Sequence, residues 1–301
     1  MLEKILVPLD GSKLGELPLI YVKELAKEFH SAIHVIYVCE KHDPAYREMV
    51  QKYLDKVAGK LQSDLMQTSS RANVEAVMLE GKPSAEIIRY AQEKQVSLIL
   101  IASHGRTGIM AWVMGSTANK VIHIARQPAL LVRASMFNSE RPPENVFRKI
   151  LVPLDGSESG EAALRYISEI AEKLKSEIIL LSVVEAGERI HSIGGLDYIQ
   201  FPEELIDAMK KESEDYLARI NEKLTDHGII VQNVVREGNA AEEIVNFGNE
   251  NNISLIVMSS YGKSNSREWV LGGVANKVLH VSKLPMFLVK PALNDAQGPT
   301  A

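Results

Sequence analysis

One cysteine, Cys39, stands among 301 residues, so no intrachain disulfide can form and a reducing compartment is expected. No apolar run is long enough to cross a bilayer. The opening MLEKILVPLDGS has neither the apolar core nor the small-residue cleavage site of a signal peptide. Excess positive charge is lacking too. Lys and Arg number 34 against 39 Asp and Glu, a formal net charge of -5, which argues against non-specific binding to nucleic acid or anionic lipid. Also missing are a Gly-x-Ser-x-Gly elbow, a His-Glu-x-x-His pair and a lysine closing a Walker loop. The expectation is a soluble, cytoplasmic protein with no membrane or nucleic-acid partner and little support for catalysis. A hydrophobic fraction of 46% suffices for packed cores, and the length suits about two domains.

What is present is written twice. KILVPLDGS at Lys4 to Ser12 recurs unchanged at Lys149 to Ser157, an offset of 145 (149 − 4). Later landmarks lie further apart: LEGKPSAEII faces REGNAAEEIV, and ASHGRTGIMAWVMGSTANKVIH faces SSYGKSNSREWVLGGVANKVLH, both at 157 (238 − 81). The 12 extra residues of the second copy (157 − 145) fall between Glu185 and Gly238, with AGERIHSIGGLDYIQFPEE expected as an enlarged loop before a helix. So long a period means two domains of one kind, not a solenoid. They are expected at 1–134 and 148–291, with a polar, proline-containing linker over 135–147 and a fraying tail over 292–301.

Within the first copy the apolar runs ILVPL, IHVIYV, VEAVML, SLILIA and ALLVR alternate with segments of helical spacing. Strands that are apolar throughout imply a parallel sheet covered on both faces. Each domain is therefore expected to be α/β and doubly wound, with five parallel strands and four helices. In such sheets ligands gather at the carboxyl ends of the strands, where the winding reverses. LDGS and SHG both lie just past a strand end.

The stretch from Ala102 to Thr117 carries Gly105 and Gly115, with Ser116 and Thr117 opening a helix. A helix start offers unpaired N–H groups and a positive dipole end to an anion. Gly115 allows close approach, the two hydroxyls add donors, and Arg106 adds a cation. The plain alternative is a loop with turn glycines and a capping serine. Both readings stand at this point.

On VPLDGS, the glycine stretch and the closing strands PALLVR and PMFLVK, the chain resembles the universal stress protein family, over nearly its whole length and as two tandem domains. The resemblance implies an adenine nucleotide alpha hydrolase-like fold. Nucleotide-binding members carry glycine, two residues, glycine, nine residues, glycine, then serine or threonine. Here Ala102 departs from the first position, while Gly105, Gly115 and Ser116 fit. By resemblance, Pro8, Asp10, Val38 and Ile101 would hold adenosine. Ser103, His104, Gly105, Arg106, Gly115, Ser116 and Thr117 would surround the phosphates of ATP, ADP or AMP, with or without magnesium held by Asp10 and Glu40. The second copy keeps Pro153, Asp155, Val183, Ser260, Gly262 and Gly272. It has Tyr261 for His104, and Gly273 and Val274 for Ser116 and Thr117, so a weaker second site is expected. The family's pairing through its last strand implies that PALLVR and PMFLVK join the two halves within one chain. That would hide two edge strands. Further homo-oligomerisation and an unidentified protein partner are expected with it.

Plainer roles compete at single residues. Asp10 would equally cap the helix beginning GSKLGELPL, and His104 would equally be an idle loop histidine. His123 and His280 match in ANKVIH and ANKVLH, which points to packing, and neither has a second ligand at metal spacing. Trp112 and Trp269 read as anchors of a loop or interface, and Cys39 as a small buried hydrophobe. At most slow ATP hydrolysis is expected, since no base is positioned for water. An adenylating or ATP-pyrophosphatase-like enzyme is the competing class, for which LDGS is a thin loop. A scaffold that binds no nucleotide is the third reading.

Overall fold

A computed structural model describes residues 2–40, 43–68, 72–104, 114–133, 145–192, 195–262 and 271–291, and only the backbone over 188–198. Its first half alternates strictly: β1 Lys4–Leu9, α1 Pro18–Phe29, β2 Ala32–Cys39, α2 Pro44–Gln67, β3 Val74–Glu80, α3 Pro83–Glu93, β4 Leu98–Ala102, α4 Ser116–Ile124 and β5 Ala129–Val132. The second half runs β6 Lys149–Pro153, α5 Glu158–Glu161, α6 Leu164–Leu174, β7 Glu177–Val184, β8 Gly187–Ser192, β9 Gly195–Gln200, α7 Glu203–Thr225, β10 Ile230–Glu237, α8 Ala240–Glu250, β11 Leu255–Ser259, α9 Gly273–Val281 and β12 Met286–Val289.

The apolar strands do what their composition demands. In each half five parallel strands stand side by side, β3-β2-β1-β4-β5 in the first and β10-β7-β6-β11-β12 in the second. Successive residues bury opposite faces. Ile5, Val7 and Val35 meet α1 and α2, while Leu6, Ile36 and Ile99 meet α3 and α4. Full burial of each such side chain favours folding by about 1.5–3 kcal/mol, which is why the inner strands are apolar nearly throughout, while the edge strands β3 and β10 are half-exposed and carry polar residues. The extra residues of the second copy are not a plain loop. β8 and β9 pair antiparallel as a separate hairpin, from Gly187↔Gln200 to Ser192↔Gly195.

The halves meet in a single ten-stranded sheet. β5 and β12 pair antiparallel, with Leu131 opposite Met286 and Ala129 opposite Leu288. Both cores therefore run unbroken through both halves, one on each face of the sheet. Phe287 packs edge-on against Tyr166 at 6.0 Å between ring centroids. Val146 and Phe147, at the end of the expected linker, are buried, and Phe147 meets the Tyr21 ring at 5.5 Å.

Two cations close the seam reciprocally. Arg133, just past β5, donates from Nη2 to the carbonyl of Leu279 in the last turn of α9. Lys290, its counterpart past β12 (290 − 133 = 157), donates from Nζ to the carbonyl of His123 in the last turn of α4, at 2.8 Å. The last carbonyls of a helix have no partner inside it and carry the negative dipole end, so a cation from the opposite half suits them. Arg133 is only 5% exposed, and burial lowers its pKa to about 10. Burial lowers that of Lys290 to about 8.

Candidate functional site

β1 feeds β2 on one side, while its other neighbour is β4, so the winding reverses between β1 and β4. Their register, Ile5↔Leu98 and Leu6↔Ile99, carries Asp10 and Ser103 to the same rim of the sheet. Val38 and Ile101 pack on the face covered by α3 and α4, and the period of two places Pro8 there as well. Hence Pro8, Val38 and Ile101 form an apolar floor below the start of α4. The same logic collects Pro153, Val183 and Met258 in the second half.

Asp10 does not cap α1. That helix starts at Pro18, with no side chain capping its first turn. Asp10 Oδ1 instead accepts from the Ser12 amide at 3.0 Å and from Ser12 Oγ at 2.7 Å, and Ser12 Oγ accepts from the Gly15 amide at 3.0 Å. The relay recurs in the second half. Asp155 Oδ1 accepts from the Ser157 amide at 3.1 Å and from Ser157 Oγ at 2.6 Å, while Ser157 takes the Gly160 amide at 3.0 Å. These carboxylates are packed against backbone. A Cβ on Gly15 would lie 2.3 Å from Asp10 Oδ1, and one on Gly262 would lie 2.1 Å from Asp155 Oδ2. A side chain on the glycine after the fourth strand of the second half would thus have to displace the Asp155 carboxylate.

Beyond β4, the Gly115 amide donates to the Ser103 carbonyl at 2.8 Å, which draws the helix start back over the strand end. A Cβ on Gly115 would meet that carbonyl at 3.3 Å. Gly115 occupies the N-cap position of α4, so no side chain caps the first turn, and Ser116 at its head is exposed. Ser103 Oγ lies 3.0 Å from His104 Nδ1. His104 is only 7% exposed, and its Nε2 has no hydrogen-bond partner among the described residues. Such a buried polar atom costs about 1–3 kcal/mol unless something reaches it. Gly105, Arg106, Trp112 and Trp269 lie outside the described residues.

In the second half the Gly272 amide donates to the Ser260 carbonyl at 2.8 Å, and again no side chain caps the helix. Differences surround this shared frame. Gly273 and Val274 bring no hydroxyl to the first turn, and Tyr261 stands in the place of His104. Ser159 Oγ donates to the Gly262 carbonyl at 3.1 Å, tying together two loops that flank the cradle. Its first-half counterpart is Leu14 (159 − 145), which forms no such tie. The hydroxyls of Ser259 and Ser260 are buried without partners among the described residues.

Sequence reasoning missed a tyrosine and glutamate pair near each aspartate. Tyr53 donates to Glu16 Oε1 at 2.9 Å, and Tyr216 to Glu161 Oε1 at 3.0 Å. Burial and the glutamate push both phenols far up, helped by the charges of Asp10 and Asp155. Glu16 and Glu161 keep the 145 offset, but the tyrosines stand 163 apart (216 − 53), so no landmark linked them. The matched histidines have a helical explanation: His123 Nδ1 donates to the Asn119 carbonyl and His280 Nδ1 to that of Asn276, both at 2.8 Å. Among the described residues no three His, Cys, Asp or Glu side chains gather as a metal set. None of the described helices is long and apolar enough to cross a membrane.

Comparison with known proteins agrees with this geometry. The Universal stress protein family pattern matches residues 1–133 and again 147–290. Universal stress protein YxiE of Bacillus subtilis is 33% identical over 148 residues, covering 48% of this chain and 100% of that protein. Universal stress protein MJ0577 of Methanocaldococcus jannaschii is 30% identical over 155 residues, covering 48% of this chain and 96% of that protein. Among solved structures, a universal stress protein from Archaeoglobus fulgidus superimposes with a TM-score of 0.68 at 21% identity, over 95% of this chain and 98% of that one.

Proposed function

We propose that this chain, which belongs to the universal stress protein family, binds ATP or another adenine nucleotide, mainly in its first half, as a regulatory or structural ligand in a cytoplasmic stress response. The observation that carries the reading is the first turn of α4, which no described side chain caps, set beside a buried His104 whose Nε2 has no partner among the described residues. Phosphate oxygens would accept from the N–H groups and hydroxyls of Ser116 and Thr117. They would also accept from His104 Nε2, which carries the proton when Nδ1 accepts from Ser103 Oγ. Pro8, Val38 and Ile101 would take the apolar face of the base, and Asp10 the ribose side. Gly105 and Arg106, by their place in the motif, would complete the phosphate end. The role is binding, with at most slow hydrolysis, because none of these side chains is set to activate water.

The second half keeps Pro153, Asp155, Val183, Ser260, Gly262 and Gly272 but lacks two hydroxyls at its helix start. At about 0.5–1.5 kcal/mol for each of two neutral hydrogen bonds, affinity there would be roughly five- to 150-fold lower. Calorimetric titration of the full chain with ATP tests this. One site per chain is expected, lost in Ser116→Ala with Thr117→Ala, and a second gained in Gly273→Ser with Val274→Thr. Two equal sites in the unaltered chain, or no binding, would overturn the reading.

A further inference from the structure

On the face of the sheet that α4 and α9 cover, the two copies bring equivalent residues together. Leu130 on β5 pairs with Phe287 on β12, its own counterpart (287 − 130 = 157), so a local two-fold axis runs through the seam. Val121 and Ile122 of α4 and Val278 and Leu279 of α9 enter one core on that face. The described stretches 114–133 and 271–291 hold both helices and both closing strands. Neither contains an aspartate or glutamate, although the chain has 39. Their exposed cations come as equivalent pairs, Lys120 with Lys277 and Arg126 with Lys283, each at the offset of 157. Both glutamates of the neighbouring α3, Glu86 and Glu93, are held by Arg89. Ile124 and Val281, again equivalent, stand in the last turns of α4 and α9 with 55% and 61% of their surface exposed. Lys120 and Ile124 are one turn apart on the same side of α4, and Lys277 and Val281 repeat this on α9.

We propose that this basic face is the docking surface for an acidic, amphipathic segment of a partner protein, its carboxylates on the cations and its aliphatic side chains on Ile124 and Val281. Charge complementarity selects the partner. A chain of net charge -5 that gathers cations without carboxylates on one face directs an attractive field outward there and a repulsive one elsewhere. Exposed aliphatic groups beside those charges match the anatomy of a protein interface, an apolar centre within a polar rim. Two other polyanions fit less well. A nucleic acid duplex would run past the face onto surface of the repulsive sign. A lipid surface takes a broad apolar helix face buried about 5–10 Å deep, whereas each of these helices offers few exposed aliphatic side chains. A short acidic segment stays within the patch and supplies both kinds of group. Rim charges govern the rate of encounter and the choice of partner more than affinity, so the complex should be modest in strength and sensitive to salt.

The test is fluorescence anisotropy of a labelled peptide of Glu, Leu and Ala, patterned as an amphipathic helix and titrated with the full chain. Binding is expected at low salt and should fade as salt rises from roughly 0.01 to 1 M, which shortens the screening length from about 30 Å to about 3 Å. Lys120→Glu with Lys277→Glu should weaken it about tenfold or more, and Ile124→Ser with Val281→Ser severalfold. Lys56→Glu with Lys223→Glu makes the same change in net charge at exposed positions of α2 and α7, and should leave affinity within about twofold. All these side chains are exposed, so the variants should keep the thermal melt of the unaltered chain. No binding at low salt would overturn the proposal, as would equal weakening by the α2 and α7 pair. So would a DNA duplex or phosphatidylglycerol vesicles that bind through Lys120 and Lys277 while the peptide does not.

Discussion

His34 on β2 offers a sharp test of how the two copies diverged. It is 7% exposed, its Nδ1 lies 2.6 Å from the Tyr90 hydroxyl on α3, and Glu75 on β3 stands 3.8 Å away. The second copy fills the same three places with Ile179, Phe247 and Gln232, so one half has a polar cluster where the other packs apolar groups. His34→Ile alone strands the buried Tyr90 hydroxyl, and Tyr90→Phe alone strands Nδ1. Each should cost about 1–3 kcal/mol. Together they reproduce the apolar set of the second half, so the double variant should be near neutral or more stable. Its cost should fall short of the summed singles by roughly 2 kcal/mol. Burial lowers the His34 pKa below 6.5. Glu75 raises it in part, and Lys4 and Lys94 reinforce the lowering. The unfolded chain therefore binds this proton more readily than the folded one. Stability from a neutral His34 is present above pH 6.5 and is lost as pH falls through and below it, with a slope of at most about 1.4 kcal/mol per pH unit. Urea denaturation of the full chain at pH 7.5 and 5.5 measures both effects. Additive single variants, or an acid slope unchanged in the double variant, would refute the reasoning.

Other outcomes follow from the same contacts. Gly262→Ala should cost about 1–3 kcal/mol in thermal unfolding, because the new methyl displaces Asp155 from its hydrogen bonds to Ser157, whereas Gly273→Ala meets open space and should be neutral or slightly stabilising. Phe287→Ala at the seam should cost about 3–5 kcal/mol by chemical denaturation, since the ring is fully buried against Tyr166. Lys290 has its folded pKa below its unfolded one, so the chain should gain stability as pH rises from about 8 towards 10.5. Because this lysine is partly exposed, the gain should be only about 1–2 kcal/mol. A Lys290→Met variant with the same slope over that range would count against this origin.

Much of the architecture was legible because it is imposed by burial. Strands covered on both faces must be apolar throughout, and all five of the first half fall where those runs lie. The pairing of PALLVR with PMFLVK came from the family resemblance, and β5 and β12 do pair, which hides two edge strands. The start of α1 was misjudged because the Asp10–Ser12–Gly15 relay builds a turn that a helix-capping signature imitates. GERIHSIGGLDYIQ was expected as loop, whereas its backbone pairs as a two-stranded hairpin outside the main sheet. Contacts between elements left no local trace. Neither the His34 cluster nor the Tyr53 and Glu16 pair could be found from spacing, because each joins segments far apart in the chain.

The join between β5 and β12 has a consequence for how such a protein can change over time. Two strands on one polypeptide find each other at an effective concentration on the order of millimolar, so dilution cannot part them as it parts separate subunits. Across this seam each copy faces its sibling and not its own double. A change such as Ser116 to Gly273 therefore appears once in each chain, and one copy can be relieved of a task the other retains.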